Sequence, residues 1–243
     1  MYFPDGAVPD AELAGVPEMS PVRLTTDDGL TLLAWYRPAT AEDLPTLVYF
    51  HGNAGHIGHR GAKVRPYLDA GFGVLLVSWR GYGGNPGSPS EAGLYHDGRA
   101  ALDFLARAGV PPSRIALYGE SLGAGVAVQM ASERPERPVG AVLLESAYTS
   151  MAAVAAHHYW YLPARYLVRD RFDSLAKIGR IGAPLFIVHG ERDRIIPVAM
   201  ARALFAAAAE PKEARFFPAA GHNDLYDHGA AEAVIDFLGR TIK

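Results

Sequence analysis

The stretch Ile115-Ala116-Leu117-Tyr118-Gly119-Glu120-Ser121-Leu122-Gly123 decides the fold of this chain. Its first four residues are apolar, and the segment after Leu122 carries small and apolar residues at helical spacing. Ser121 therefore falls on a sharp turn between a predicted strand and a predicted helix. Side chains at positions 119 and 123 would collide with neighbouring backbone in such a strained turn. G-x-S-x-G in this setting predicts a nucleophilic serine.

Apolar runs alternate with helix-period segments along the rest of the chain. Strands are predicted at 30–36, 46–50, 74–78, 115–118, 141–144, 185–189 and 213–217, and helices at 60–70, 94–108, 122–133, 198–209 and 230–238. The alternation predicts a single α/β domain over residues 1–243, with a mostly parallel sheet covered by helices on both faces. Pro38 and a short polar loop join the runs 30–36 and 46–50, which suggests that these two strands pair antiparallel at one edge of the sheet.

One segment, residues 150–181, interrupts this alternation and is rich in aromatic residues and histidine. Two interpretations stay open, a small cap over the site and a helical excursion that packs on the sheet. Candidate substrate contacts are His158 and Trp160 in this segment, Tyr148 just before it, and Tyr82 in the loop 80–88.

Composition excludes several classes of protein. Cysteine is absent, which rules out disulfides, thiolate metal sites and a cysteine nucleophile. A formal net charge of -3 predicts no basic face for nucleic acid or anionic lipid, so a small-molecule acyl partner is expected, with no indication of oligomeric state. Neither a signal peptide at the start nor an apolar run of about 18 residues is present, which predicts a cytoplasmic protein without a membrane span.

A serine hydroxyl needs a base, and that base an orienting carboxylate. Asp193 follows the predicted strand 185–189, and His222 lies in the last loop before the terminal helix. The order Ser, Asp, His favours Asp193 as the acid and His222 as the general base. Glu191 and Glu145 remain alternative acids, because both lie near the ends of predicted strands.

Negative charge on a substrate carbonyl oxygen requires two N-H donors. The backbone of Leu122, at the start of a predicted helix, is one candidate. The loop after strand 46–50 offers the other, with Asn53 preferred and Ala54 second. A metal site at His51, His56 and His59 is not expected, since their spacing fits no ligand motif. The glycine-rich loop 80–88 likewise lacks a nucleotide-binding pattern.

Five blocks of sequence together resemble the α/β-hydrolase superfamily, and within it the bacterial serine-aminopeptidase-like group related to eukaryotic protein depalmitoylases. These blocks are His51-Gly52-Asn53-Ala54-Gly55, Arg80-Gly81-Tyr82-Gly83, Gly119-Glu120-Ser121-Leu122-Gly123, Asp193 and Gly221-His222-Asn223-Asp224. The resemblance implies cleavage of carboxylic esters or thioesters through an acyl-enzyme, without a cofactor.

Two departures from the family pattern matter. Relatives commonly carry Asp-Tyr where this chain has Ser78-Trp79, so altered packing near the turn is expected. Many relatives also carry a hydrophobic anchor before a segment like Met1-Tyr2-Phe3-Pro4, so a membrane-anchored full-length protein is the alternative location.

The resulting prediction is a carboxylesterase with a Ser-His-Asp triad. Two other enzyme classes share this triad and stay open as alternatives. One is a thioesterase that acts on acyl proteins or other acyl thioesters, and the other is an aminopeptidase. A catalytically silent binding protein of the same fold is the alternative outside enzymes.

Overall fold

The structure, a computed structural model, describes residues 2–133 and 135–242. An eight-stranded sheet forms its centre. Its strands are β1 (Ser20–Thr25), β2 (Thr31–Arg37), β3 (Thr46–Phe50), β4 (Gly73–Val77), β5 (Ile115–Glu120), β6 (Ala141–Glu145), β7 (Leu185–Gly190) and β8 (Lys212–Phe217). The helices are α1 (Gly61–Asp69), α2 (Glu91–Arg107), α3 (Leu122–Glu133), α4 (Met151–His158), α5 (Ala164–Leu167), α6 (Val198–Ala207) and α7 (Ala230–Thr241).

The strands lie in the order β8-β7-β6-β5-β3-β4-β2-β1. All neighbours from β8 to β4 pair in parallel, whereas β1 with β2 and β2 with β4 pair antiparallel. The fold class predicted from the alternation of strands and helices is confirmed.

The antiparallel pairs at this edge of the sheet join different strands from those that the sequence suggests. β2 pairs with β4 and β1, not with β3, because β4 and β5 occupy both edges of β3. β1 was not predicted at all. Most of its residues are exposed, and it contains Pro21, so it lacks the apolar run that marks the inner strands.

The inner strands β3 to β7 are buried on both faces, as expected for strands flanked by helices. Successive side chains of β3 alternate between two cores: Val48 and Phe50 pack in one, Leu47 and Tyr49 in the other. This double burial explains why every residue of β3 is buried.

Loops at the carboxyl ends of the parallel strands carry the candidate site. The insertion between β6 and β7 contains α4 and α5. A second, two-stranded sheet joins Phe3–Pro4 in parallel to Ala54–Gly55, in the loop after β3. Within the described residues, no helix is both long enough and apolar enough to cross a bilayer.

Candidate active site

Ser121 lies between β5 and α3 with a φ of 50°, in the left-handed region that non-glycine residues seldom adopt. Its N-H donates to the Glu145 carbonyl at 2.8 Å, which ties the turn to β6. A Cβ at Gly119 would lie 2.5 Å from the Ala124 Cα, and one at Gly123 would collide with the Phe50 carbonyl. Close backbone approach therefore requires both glycines of the turn.

His222 lies between Ser121 and Asp193. Its Nδ1 is 2.7 Å from Asp193 Oδ2, and its Nε2 is 3.2 Å from Ser121 Oγ. An ionised carboxylate only accepts hydrogen bonds, so Nδ1 carries the ring proton. Nε2 is then free to accept the Ser121 hydroxyl proton. The three residues predicted from separate parts of the sequence form one hydrogen-bonded chain.

Asp193 is buried, with four donors around its carboxylate. Oδ1 accepts from the backbone N-H groups of Ile195 and Ile196, each at 2.8 Å. Oδ2 faces both His222 and His189. Burial alone would raise the pKa of Asp193, but the hydrogen bonds from His189 and His222 hold it below its usual range. The carboxylate is thus ionised at neutral pH and can orient His222.

The two alternative acids lie elsewhere. The Glu145 carboxylate is buried and accepts from Lys63 and from the Tyr118 hydroxyl. Glu191 is exposed and pairs with Arg202. Neither of these carboxylates contacts His222 within the described part of the chain.

A buried ionic network that was not predicted from the sequence surrounds the Glu120 carboxylate, next to Ser121 in the chain. Glu120 accepts from Arg60 Nε at 2.8 Å and from the Tyr49 hydroxyl at 3.0 Å, with Lys63 Nζ at 3.5 Å. Burial would raise the pKa of Glu120, but Lys63 and Arg60 lower it to about 2. The sequence contains one sign of this network. Glu120 is a charged residue at the end of the buried strand β5, directly before Ser121.

A cavity of about 740 Å³ opens over Ser121 and His222. This volume is in the range of small-molecule sites. Its wall combines the polar residues of the catalytic loops with a largely apolar surface from the insertion and the N-terminal segment. The apolar lining includes Phe3, Met151, Val154, Ala155, Tyr159, Leu167, Val168, Ile195 and Ile196. None of these apolar residues was predicted as a site residue.

The predicted substrate contacts separate into two groups. His158 lines the cavity, and its Nε2 donates to the Ile195 carbonyl at 2.7 Å. Tyr82, Tyr148 and Trp160 are outside the lining. Tyr82 and Tyr148 are fully buried, while Trp160 is 82% exposed. The prediction of a direct substrate contact is corrected for these three, because the first two are covered by protein and the third points into solvent.

Both buried tyrosines instead contact the candidate oxyanion elements. The Tyr82 hydroxyl donates to Asn53 Oδ1 at 3.0 Å, and the Tyr148 hydroxyl donates to the Leu122 carbonyl at 3.2 Å. Asn53 Oδ1 also accepts from the Phe3 N-H at 3.2 Å. The loop that carries Asn53 is therefore anchored from two sides at the cavity wall, where Asn53 and Ala54 are lining residues.

Leu122 is the first residue of α3. The first backbone N-H groups of a helix have no partner within the helix, and the helix dipole favours negative charge beside them. The backbone N-H of Leu122, directly after Ser121, therefore lies at a helix end that favours an oxyanion.

The three histidines of the loop after β3 have separate roles. His51 is fully buried, and burial lowers its pKa to about 3. The His51 carbonyl accepts a hydrogen bond from the Trp79 indole N-H at 3.0 Å. This contact lies at Ser78-Trp79, where the sequence departs from the family pattern. His56, His59 and Asp5 bring ligand-type atoms within 4.8 Å of one another. His56 Nδ1 accepts from the Gly58 N-H, so its Nε2 carries the proton and faces Asp5 as a donor, which does not fit a metal ligand.

The sequence profile of the alpha/beta hydrolase fold matches residues 45–175, more than half of the chain. The chain belongs to the α/β-hydrolase family. The uncharacterized protein Rv2307c of Mycobacterium tuberculosis is 43% identical over 247 residues, which cover 99% of this chain and 86% of that protein. Protein bem46 of Schizosaccharomyces pombe is 32% identical over 235 residues, or 92% and 78% of the two chains.

A solved structure agrees with this α/β-hydrolase assignment. The Pyrococcus furiosus esterase Pf2001 superimposes with a TM-score of 0.77 at 21% identity, over 100% of this chain and 98% of that one. At that identity the likeness establishes the fold. The resemblance stated from the sequence motifs is confirmed.

Proposed function

We propose that this α/β hydrolase is a carboxylesterase that uses Ser121 as nucleophile, His222 as general base and Asp193 as the orienting acid. One observation carries the proposal. His222 bridges Asp193 at 2.7 Å and Ser121 at 3.2 Å, with the serine oxygen at the floor of an apolar cavity. A serine activated in this way attacks acyl carbonyls.

The first half-reaction transfers the acyl group to the enzyme. Ser121 Oγ forms a bond to the ester carbonyl carbon while its proton passes to His222 Nε2. The carbonyl oxygen becomes an oxyanion, held by the backbone N-H groups of Leu122 and Asn53. His222 then gives its proton to the alcohol oxygen as the bond between the carbonyl carbon and that oxygen breaks. Asp193 stabilises the transient imidazolium by charge and by the Nδ1 hydrogen bond.

Water completes the cycle. It loses a proton to His222, attacks the acyl-enzyme and releases the carboxylic acid, and the proton returns to Ser121 Oγ. None of these steps needs a cofactor. The insertion acts as a cap in this proposal, because α4 and α5 supply much of the apolar wall that would bind an acyl chain.

Turnover of p-nitrophenyl butyrate by the wild type and by Ser121→Ala tests the proposal. The variant should retain only the rate enhancement that substrate binding and oxyanion stabilisation provide, roughly 10³ to 10⁴ over the reaction in water. Ser132→Ala, which removes a hydroxyl on α3 outside the cavity lining, is the matched control and should keep full activity. An acyl thioester and an aminoacyl amide assayed beside the ester would identify the preferred bond. Equal turnover by Ser121→Ala and the wild type would reject the assignment.

A further inference from the structure

The tip of the insertion exposes an unusual number of large apolar side chains. Trp160 is 82% exposed, Leu167 73% and Tyr166 71%. We call the following six residues the aromatic rim: Tyr159, Trp160, Tyr161, Leu162, Tyr166 and Leu167. Single exposed apolar residues are ordinary on a protein surface, but a cluster marks an interaction site.

This rim is continuous with the candidate active site. Tyr159 and Leu167 line the cavity that contains Ser121. Two more exposed apolar residues, Phe3 and Ile195, line the same cavity from the N-terminal segment and from the Asp193 loop. An apolar path therefore runs from the outer surface of the insertion to the nucleophile.

Charge around the rim differs from that of the whole chain. Residues 150–181 contain five Lys or Arg and two Asp, a formal charge of +3, although the chain carries -3. Asp170 and Asp173 accept hydrogen bonds from backbone N-H groups. The exposed basic residues Arg165, Arg169 and Arg171 make no ion pair with any other described residue. The net charge of the chain therefore does not describe the charge of this segment.

We propose that the aromatic rim docks on an anionic lipid surface. Trp and Tyr have an apolar ring and a polar tip, the combination that favours the boundary between headgroups and acyl chains. Arginines without a carboxylate partner complement anionic headgroups, and one of them, Arg165, lies over the Tyr166 ring of the rim. Delivery of an acyl chain from the lipid to Ser121 rests on the proposed hydrolase function, whereas docking itself does not.

Trp160 provides a direct readout. The chain has three tryptophans, and Trp35 and Trp79 are at most 2% exposed. Vesicles of phosphatidylcholine with phosphatidylserine should shift the Trp160 emission to shorter wavelength. Pure phosphatidylcholine should give a smaller shift, and about 1 M salt, where the Debye length is near 3 Å, should weaken binding to the anionic vesicles. Trp160→Phe should abolish the shift and so assign the signal.

Paired variants locate the docking surface. Tyr161→Ser combined with Tyr166→Ser should reduce vesicle co-sedimentation about tenfold or more, because two apolar rings leave the lipid contact. Hydrolysis of dissolved p-nitrophenyl acetate should not change, since neither side chain lines the cavity. Leu13→Ser is the matched control, because Leu13 is apolar, 90% exposed and outside the insertion.

Two results would overturn the docking proposal: no emission shift of the wild type with anionic vesicles, or equal vesicle binding by the double variant and the wild type. Ser121→Ala should bind vesicles like the wild type. Vesicle binding by an enzyme without esterase activity would reject the proposed function alone, and esterase activity without vesicle binding would reject docking alone.

Discussion

His189 Nε2 lies 3.3 Å from Asp193 Oδ2, the oxygen that also faces His222. The same Nε2 is 2.9 Å from the Ile196 carbonyl, so both of its neighbours are acceptors and Nε2 carries the proton. Its other ring nitrogen is buried and finds no hydrogen-bond partner in the described part of the chain. His189 therefore acts as a hydrogen-bond donor to the Asp193 carboxylate.

Replacing His189 by Leu should lower kcat about tenfold to a hundredfold with little change in KM. A hydrogen bond to a charged group contributes about 1.5 to 3 kcal/mol. Its loss would leave the Asp193 carboxylate less firmly positioned, without changing the substrate pocket. Steady-state kinetics with p-nitrophenyl butyrate measure the split, and a thermal melt verifies folding. His228→Leu, at an exposed histidine outside the cavity lining, is the control. An unchanged kcat would remove His189 from the positioning role.

Asp193→Asn should lower turnover by about 10⁴, because an amide no longer fixes the His222 tautomer. Glu145→Gln should change turnover of the folded enzyme much less, since Glu145 contacts Lys63 and Tyr118 rather than His222. The comparison is made on equal amounts of folded protein. A larger loss in the Glu145 variant would assign the acid role to Glu145.

Glu120→Gln should change how stability depends on pH. The folded-state pKa of Glu120, about 2, is below the unfolded value of about 4.3. Its stabilising contribution is thus present above about pH 4.3 and is lost as pH falls toward 2. Near neutral pH the variant leaves Arg60 and Lys63 without this partner, at a cost of about 3 to 5 kcal/mol.

Urea unfolding of the wild type and of Glu120→Gln at several pH values checks this dependence. The difference in unfolding free energy should be largest above about pH 4.3 and should shrink toward pH 2. A difference that does not vary with pH would mean that the network contributes by packing rather than by charge.

Acyl-chain preference should depend on the wall formed by α4. Each added methylene contributes about 0.8 kcal/mol when buried, or about fourfold in kcat/KM, until the apolar cavity is filled. Ala155→Phe, which adds a ring to the lining, should move the optimum to shorter p-nitrophenyl esters. Ala156→Phe on the same helix is outside the lining and should leave the optimum in place. Equal profiles for the two variants would place the acyl site elsewhere.

The positions of Ser121, Asp193 and His222 could be predicted because each follows a strand of the parallel sheet, which is buried before Ser121 and Asp193 and half-exposed before His222. Buried strands leave long apolar runs in the sequence, and the carboxyl ends of parallel strands meet at one edge. The order of the three residues along the chain then suggested how they would meet.

Other features left no such local pattern. β1 is an edge strand with most of its residues exposed, and its pairing with β2 depends on the whole sheet. The pairing of Phe3–Pro4 with Ala54–Gly55 joins distant segments through only two residues each. Tyr82 and Tyr148 were predicted to contact substrate, but both are buried and their hydroxyls donate to Asn53 and Leu122.

Labelling by a fluorophosphonate tests the central claim, that His222 and Asp193 activate Ser121. After digestion, mass spectrometry should find one phosphonate on the peptide that contains Ser121 in the wild type, and none in Ser121→Ala or His222→Ala. A label on a different serine, or equally fast labelling of Ser121 in His222→Ala, would contradict the account.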